Sequence, residues 1–267
     1  MTEKSLDIIT RITVEIHKGD TTKEKLGSGV LYSHSLLTDL VYVLTAKHCL
    51  SGLAENDKVS LRVFNSKSCK YDYITPAKQN ILLHPVDDAG IIIVNRRELT
   101  AIIPNIPSIF VVDGNVGFDE AITKGFPIAY LDQTSEMGES SLATLKMSYL
   151  QEIPKTHSFQ LSTLDDYSED TIKGMSGAGI FIEACEELYI NGIFTRFTDQ
   201  ERGKVIFSQR LTSFNELLEL KYKTKMPLSF LGHHGLGHKT FENNVHASVA
   251  NLGPRYCQKV KVKTGTA

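Results

Sequence analysis

Three segments carry residue types that could do chemistry together. Gly174-Met175-Ser176-Gly177-Ala178-Gly179 sets a serine among glycines, and Thr45-Ala46-Lys47-His48-Cys49 lies far upstream of it. Between them His84-Pro85-Val86-Asp87-Asp88-Ala89-Gly90 puts an acid at the entry to the apolar run Ile91–Val94. A serine hydroxyl is a weak nucleophile at neutral pH. It needs a base within hydrogen-bond reach, and the base needs an acid to fix its tautomer and stabilise its charged form. Ser176 is therefore the candidate nucleophile and His48 the general base, then acid. Asp88 or Asp87 is the orienting carboxylate. Gly174 and Gly177 relax the steric limits of a sharp turn, so the N–H groups of Gly174 and Ser176 can converge on one point. Two such donors make an oxyanion hole, and loss of one costs on the order of 100-fold in rate.

The order His, Asp, Ser, with strand-like runs around each residue, resembles that of the chymotrypsin-like serine proteases. The likeness covers roughly residues 8–222. Gly27-Ser28-Gly29-Val30-Leu31 resembles the strand before the catalytic histidine, and Ile81-Leu82-Leu83-His84-Pro85 the lead-in to the aspartate. Thr123-Lys124-Gly125-Phe126-Pro127 resembles the opening of a second barrel. Gly179–Ile182 and Leu188–Thr195 resemble the strands that close it. The family pattern D-I-A-L-L is matched by Asp88-Ala89-Gly90-Ile91-Ile92, which favours Asp88 over Asp87 for the third role.

The resemblance implies an all-β fold of two six-stranded antiparallel β-barrels with a C-terminal helix. The barrels are expected at residues 1–105 and 106–222, with a Gly/His-rich tail or linker at 223–267. It also implies that Phe194, Thr195 and Arg196 pair with an extended substrate peptide as an added strand. Asp170 stands six residues before Ser176, as in the trypsin stretch D-S-C-Q-G-D-S. There the carboxylate pairs with a substrate Lys or Arg, and Arg196 is expected near the opposite wall. Two departures stand out. Met175 occupies the position of the aspartate that receives the new N-terminus in secreted relatives. The strand Lys25–Tyr32 holds no cysteine to bridge Cys49, and Ile172 replaces another bridging cysteine.

The 267 residues are 41% hydrophobic and 22% charged, with a net charge of −2, enough for a real core. That balance gives no reason to expect nucleic acid or an anionic membrane as a partner, and no apolar run approaches a membrane span. Four scattered cysteines (Cys49, Cys69, Cys185, Cys257) read as free thiols of a reducing, cytoplasmic compartment. No cofactor is expected. Four histidines between Gly232 and His246 lack partners at sharp ligand spacing, so no metal site is expected either.

Recurrent β-type runs at residues 8–16, 30–32, 41–45, 59–64, 91–94, 109–112, 121–123, 180–182, 189–195 and 204–207 fit this reading. A helix is expected over Ser213–Tyr222, with Ser213 and Glu216 as a capping box. Val249-Ala250-Asn251-Leu252-Gly253-Pro254-Arg255-Tyr256 resembles the segment that joins effector and ATPase in AVAST-type antiphage STAND NTPases, some of whose effectors are trypsin-like proteases. No phosphate-binding loop follows it, so a STAND NTPase would be a partner domain or subunit.

The expected function is a trypsin-like serine endopeptidase acting on protein or peptide, cutting after Lys or Arg. Two alternatives come from other classes. One is a protease-fold module that binds peptide without turnover. The other is a non-proteolytic acyl hydrolase, which the residue order disfavours.

Overall fold

The computed structural model describes residues 1–229 apart from 20–23, 34–38, 55, 77–79, 101, 114–117, 119, 131–140, 166, 185, 201 and 202. Its first element corrects the expected strand over residues 8–16. Residues Glu3–Ile12 form helix α1, and strand β1 begins only at Thr13. The β-branched content reads as a strand, but the spacing of Ser5, Ile9 and Ile12 buries one helical face. Thr2 caps the helix, accepting from the Ser5 N–H at 3.3 Å. Arg11 pairs with Asp7 one turn away at 2.8 Å. The hydroxyls of Thr10 and Thr13 donate back to the carbonyls of Leu6 and Ile9, at 2.9 and 2.7 Å. Helical hydrogen bonding thus absorbs residues whose intrinsic preference is extended.

The first half builds one antiparallel sheet from seven strands. They are β1 Thr13–Lys18, β2 Glu24–Tyr32, β3 Leu40–Thr45, β4 Val59–Asn65, β5 Lys70–Ile74, β6 Asn80–Leu83 and β7 Gly90–Asn95. Their order is β5-β4-β1-β2-β3-β7-β6, and among the described residues no pairing closes the two ends. A helix of one turn, α2 (Arg96–Thr100), follows.

In the second half the strands are β8 Phe110–Val112, β9 Ala121–Gly125, β10 Ala143–Ile153, β11 Ser158–Thr163, β12 Gly179–Ala184, β13 Glu187–Gln200 and β14 Gly203–Arg210. Six of them close: β12-β9-β10-β11-β14-β13, with β13 returning to β12. This is a six-stranded antiparallel barrel. Strand β8 and the short β15 (Leu228–Ser229) add to its outside in parallel. The second β-unit of the fold is thus a large rolled sheet, where the expectation was another closed barrel.

Strands β10 and β11 lie outside the expected runs because polar residues interrupt their apolar ones at almost every step. Their signal is alternation: Leu145 and Met147 are buried while Thr144 and Lys146 are exposed.

Two apolar clusters fill the units. One extends from Ile9 through the first sheet to Leu211, Phe214, Leu217 and Leu218 of helix α4 (Leu211–Tyr222). The other lies within the barrel, around Met147, Phe159, Met175, Ile180, Phe194 and Ile206. Helix α4 matches the expected helix but not its expected cap. It starts at Leu211 with Arg210 at the cap position and no side-chain cap. Ser213 and Glu216 reach another segment of the chain instead. Among the described residues no helix is long and apolar enough to cross a membrane. Of the tail expected at 223–267, the first residues belong to the fold, with Met226 buried and Leu228–Ser229 forming β15; residues 230–267, including Val249–Tyr256, lie outside the described residues.

Ile9 is fully buried at the junction of α1 and the first sheet. Ile9→Ala is expected to cost about 2–5 kcal/mol of stability, read as a lowered urea midpoint with an unchanged slope. An equally stable variant would show that α1 is not part of the core.

Candidate active site

Strand β3 ends at Thr45, and the chain turns through a single 3-10 turn, Lys47–Cys49, that presents His48. Across from it the loop between β6 and β7 presents Asp88. The imidazole Nδ1 lies 2.8 Å from Asp88 Oδ2, and the His48 backbone N–H donates to Asp88 Oδ1 at 3.0 Å. Both carboxylate oxygens are thereby fixed on one residue. The Asp88 hydrogen bond raises the His48 pKa above the ordinary 6.5, the Cys49 side chain raises it further, and burial opposes both. For Asp88 burial pushes upward, but the hydrogen bond and charge of His48 outweigh it, and its pKa is lowered. The pair remains open to solvent, with side-chain exposures of 49% for His48 and 35% for Asp88. Its importance is therefore geometric, since exposed pairs add little stability.

Ser176 arrives on a turn built from glycines. Gly174 has φ +97° and Gly177 φ +92°, backbone that residues with a Cβ rarely adopt. A Cβ on Gly177 would overlap the Ser28 carbonyl and the Thr45 hydroxyl. The Lys173 carbonyl accepts from Ile128 N–H at 2.7 Å. The N–H of Gly174 belongs to the same trans peptide and points the opposite way. Among the described residues nothing accepts from the N–H of Gly174 or Ser176. These two free donors bracket the nucleophile, as an oxyanion hole requires.

One residue ties these pieces together. Ser28 of β2 is fully buried. Its N–H donates to the Ser176 carbonyl at 2.8 Å, and its carbonyl accepts from Thr45 Oγ1 at 2.7 Å. Its hydroxyl donates to the Gly174 carbonyl and accepts from Phe126 N–H, both at 3.0 Å. Beside it Cys49 Sγ lies 3.5 Å from the Ser176 carbonyl. The residue that follows the histidine thus touches the residue that carries the hydroxyl. Sequence reasoning missed this role of Ser28; the signal was the serine between two glycines in Gly27-Ser28-Gly29.

The Ser176 hydroxyl itself donates to the Thr195 carbonyl at 3.0 Å, and no hydrogen bond joins it to His48. Met175 is fully buried in the barrel cluster. The residue before Ser176 is thus an apolar anchor of the serine turn.

The expected substrate-side residues fall in different settings. Both backbone groups of Phe194 are taken by the serine turn: its carbonyl accepts from Gly177 N–H at 2.7 Å and its N–H donates to Ala178 at 2.8 Å. From Thr195 onward β13 pairs with β14 on one edge, and no strand lies on the other among the described residues. Arg196 is exposed, its guanidinium 4.0 Å from the centre of the Phe207 ring. Asp170 is exposed on the first turn of helix α3 (Glu169–Ile172). Among the described residues no ion pair joins it to Arg196.

Asp87, the rejected neighbour of Asp88, is buried and points elsewhere. Its Oδ2 accepts from Ser213 Oγ at 2.6 Å and lies 3.0 Å from His157 Nδ1. His84, Asp87 and Glu216 offer ligand atoms within 4.8 Å of one another. However, His84 Nδ1 accepts the N–H groups of Asp87 and Val86, at 2.8 and 3.3 Å. The ring proton therefore sits on Nε2, which faces Glu216 at 3.3 Å and has no lone pair to give a metal.

Cys49 and Cys69 are free thiols; Cys185 and Cys257 lie outside the described residues. No protein-family model matches this chain, and no curated protein matches it.

Two outcomes follow from this geometry. Ser28→Ala leaves a buried carbonyl and a buried N–H without their partner. It is expected to cost about 1–3 kcal/mol in denaturant unfolding; a neutral change would show the staple to be dispensable. A Cβ on Gly27 would lie 3.4 Å from Cys49 Cβ and 2.6 Å from its Sγ, close to disulfide spacing. Gly27→Cys is therefore expected to oxidise onto Cys49, leaving one titratable thiol fewer than in the parent chain. One additional free thiol would contradict the juxtaposition.

Proposed function

We propose that this chain is a serine endopeptidase with the two-unit architecture and mechanism of the chymotrypsin-like family. The observation that carries the reading is the double hold of Asp88 on His48, beside a serine turn with two unengaged N–H donors. In the first step Ser176 Oγ attacks the substrate carbonyl while His48 Nε2 takes the hydroxyl proton. The carbon–nitrogen bond then breaks as the imidazolium returns that proton to the leaving amine. Water repeats the sequence on the acyl-enzyme and frees Ser176. Asp88 keeps the His48 proton on Nδ1 and stabilises the transient cation. The N–H groups of Gly174 and Ser176 receive the charge that develops on the substrate oxygen.

An extended peptide fits along the edge of β13 from Thr195 onward, where the backbone lacks a strand partner among the described residues. Phe194 supports that edge from beneath through its bonds to the serine turn. Cleavage after Lys or Arg rests on Asp170, whose carboxylate is exposed and gains strength only when substrate covers it. Thiols free at Cys49 and Cys69 agree with a reducing, cytoplasmic home. The segment Val249–Tyr256 supports a role as the effector of a STAND NTPase in antiviral defence. A second reading, a silent peptide-binding module, is favoured by the Ser176 hydroxyl resting on the Thr195 carbonyl.

A fluorophosphonate probe separates the two readings. It should label the parent chain at Ser176, with labelling lost in both Ser176→Ala and His48→Ala; an unlabelled parent chain selects the silent module. Asp88→Asn should lower kcat by about 10⁴. The pH profile has a fixed sign. Hydrolysis needs neutral His48, whose pKa lies above 6.5, so activity should fall as pH drops through a value above 6.5. Asp88→Asn should move that limb toward 6.5. An unmoved limb would remove Asp88 from the third role. Asp170→Ser should reduce kcat/KM for Lys and Arg substrates far more than for apolar ones, and equal losses would return Asp170 to the surface.

A further inference from the structure

The loop between β6 and β7 carries two adjacent acids with opposite orientations. Asp88 faces His48 in the first sheet. Asp87 is 7% exposed and faces the second half of the chain. Its Oδ2 meets Ser213 of α4 at 2.6 Å and His157, in the turn before β11, at 3.0 Å. Ser213 is fully buried, and its hydroxyl also accepts from Gln209 Nε2 at 2.8 Å. The same Gln209 nitrogen donates to the carbonyls of Thr156 and His157, at 3.1 and 2.8 Å. The His157 carbonyl accepts a further bond from Arg210 N–H at 2.8 Å. On the loop side, His84 N–H donates to the Ala89 carbonyl at 2.9 Å, and His84 Nδ1 accepts from Asp87 N–H. The charged or titratable groups around Asp87 are thus His157, His84 with Glu216 behind it, and Asp88 itself.

This network spends buried polar groups on a place where a turn would close without them. Hydrogen bonds among buried groups define one geometry because every misaligned alternative leaves a group unpaired. The residue whose position is defined is the immediate neighbour of Asp88. Without α4 and the His157 turn, the loop is held by its own closure, by Lys47 Nζ on the Pro85 carbonyl at 3.2 Å and by the His48 N–H on Asp88 Oδ1 at 3.0 Å.

We propose that Asp87 is a positioning residue: anchored by Ser213 and His157, it sets the loop so that Asp88 meets His48, and the catalytic pair depends on the seated C-terminal helix. This rests on the triad reading of His48 and Asp88. It extends that reading by making a contact between the two β-units, outside the triad, a condition of its alignment.

The test titrates the His48 imidazole by nitrogen-15 NMR in the full chain, alongside kcat and KM on a peptide substrate. Ser213→Ala removes the anchor without changing charge, so any effect on His48 comes through position. The His48 pKa should fall by roughly one unit, as the Asp88 hydrogen bond loosens. kcat should drop roughly 10- to 100-fold with KM unchanged. Ser213→Thr keeps the hydroxyl and should restore both. His157→Gln alters an exposed partner and should give a smaller shift of the same sign, which keeps the test decisive should Ser213→Ala fail to fold. An unmoved His48 titration in folded Ser213→Ala, or in folded His157→Gln and Asp87→Asn together, would overturn the proposal. If the parent chain hydrolyses nothing and Ser176 resists labelling, the protease reading fails, and the titration still decides whether Asp87 positions Asp88.

Discussion

Four hydrogen bonds to Ser28 hold the candidate site in one piece. A buried serine makes them without leaving a donor or acceptor over, and they reach three segments: the turn of Gly174 and Ser176 (two bonds), Thr45 below His48, and Phe126 after β9. Ser176 with its turn and His48 lie on chain segments more than a hundred residues apart. Their mutual placement must be fixed to fractions of an ångström for proton transfer and charge stabilisation to coincide. A rigid strand that satisfies every buried polar group at the junction achieves this better than apolar packing, which tolerates sliding.

The pair Asp87 and Asp88 shows how the same side-chain type takes two roles by orientation alone. Successive residues of a tight loop point in different directions. One carboxylate meets an imidazole in a partly exposed cleft, while its neighbour is buried against a hydroxyl and a second imidazole. The first pair stays partly open to solvent. Burial fixes the second as part of the frame. The C-terminal helix, which packs Leu211, Phe214, Leu217 and Leu218 into the core shared with the first sheet, supplies that frame through Ser213.

Packing and a close backbone approach hold the serine turn from two sides. Met175 is sealed in the barrel cluster, and a Cβ on Gly27 would lie 2.6 Å from Cys49 Sγ and 2.8 Å from the Ser176 carbonyl. Both contacts act directly on the serine turn, at Met175 and at the Ser176 carbonyl.

Much of the site is written locally. Glycine on either side of Ser176 announces positive φ, which the structure realises at Gly174 and Gly177; the run Ile91–Val94 behind Asp88 announces a buried strand, and β7 is one. The choice of Asp88 over Asp87 came from the same local pattern and agrees with the geometry at His48. Elsewhere local signals misled, because the deciding partners are distant in sequence. Ile8–Ile16 has strand composition, yet a capping threonine and a buried stripe made its first half helical. Ser213 and Glu216 have capping-box spacing, yet Asp87 and His84 claim them. Ser28 looked like a spacer between glycines and became the hub. The sequence by itself determined which residues could react and which strands could carry them, since periodicity and glycine placement are properties of neighbours. Only the tertiary structure decided which acid faces the histidine, what satisfies the buried serines and which edge of β13 stays open, because hydrogen bonds between segments far apart in the chain have no local signature.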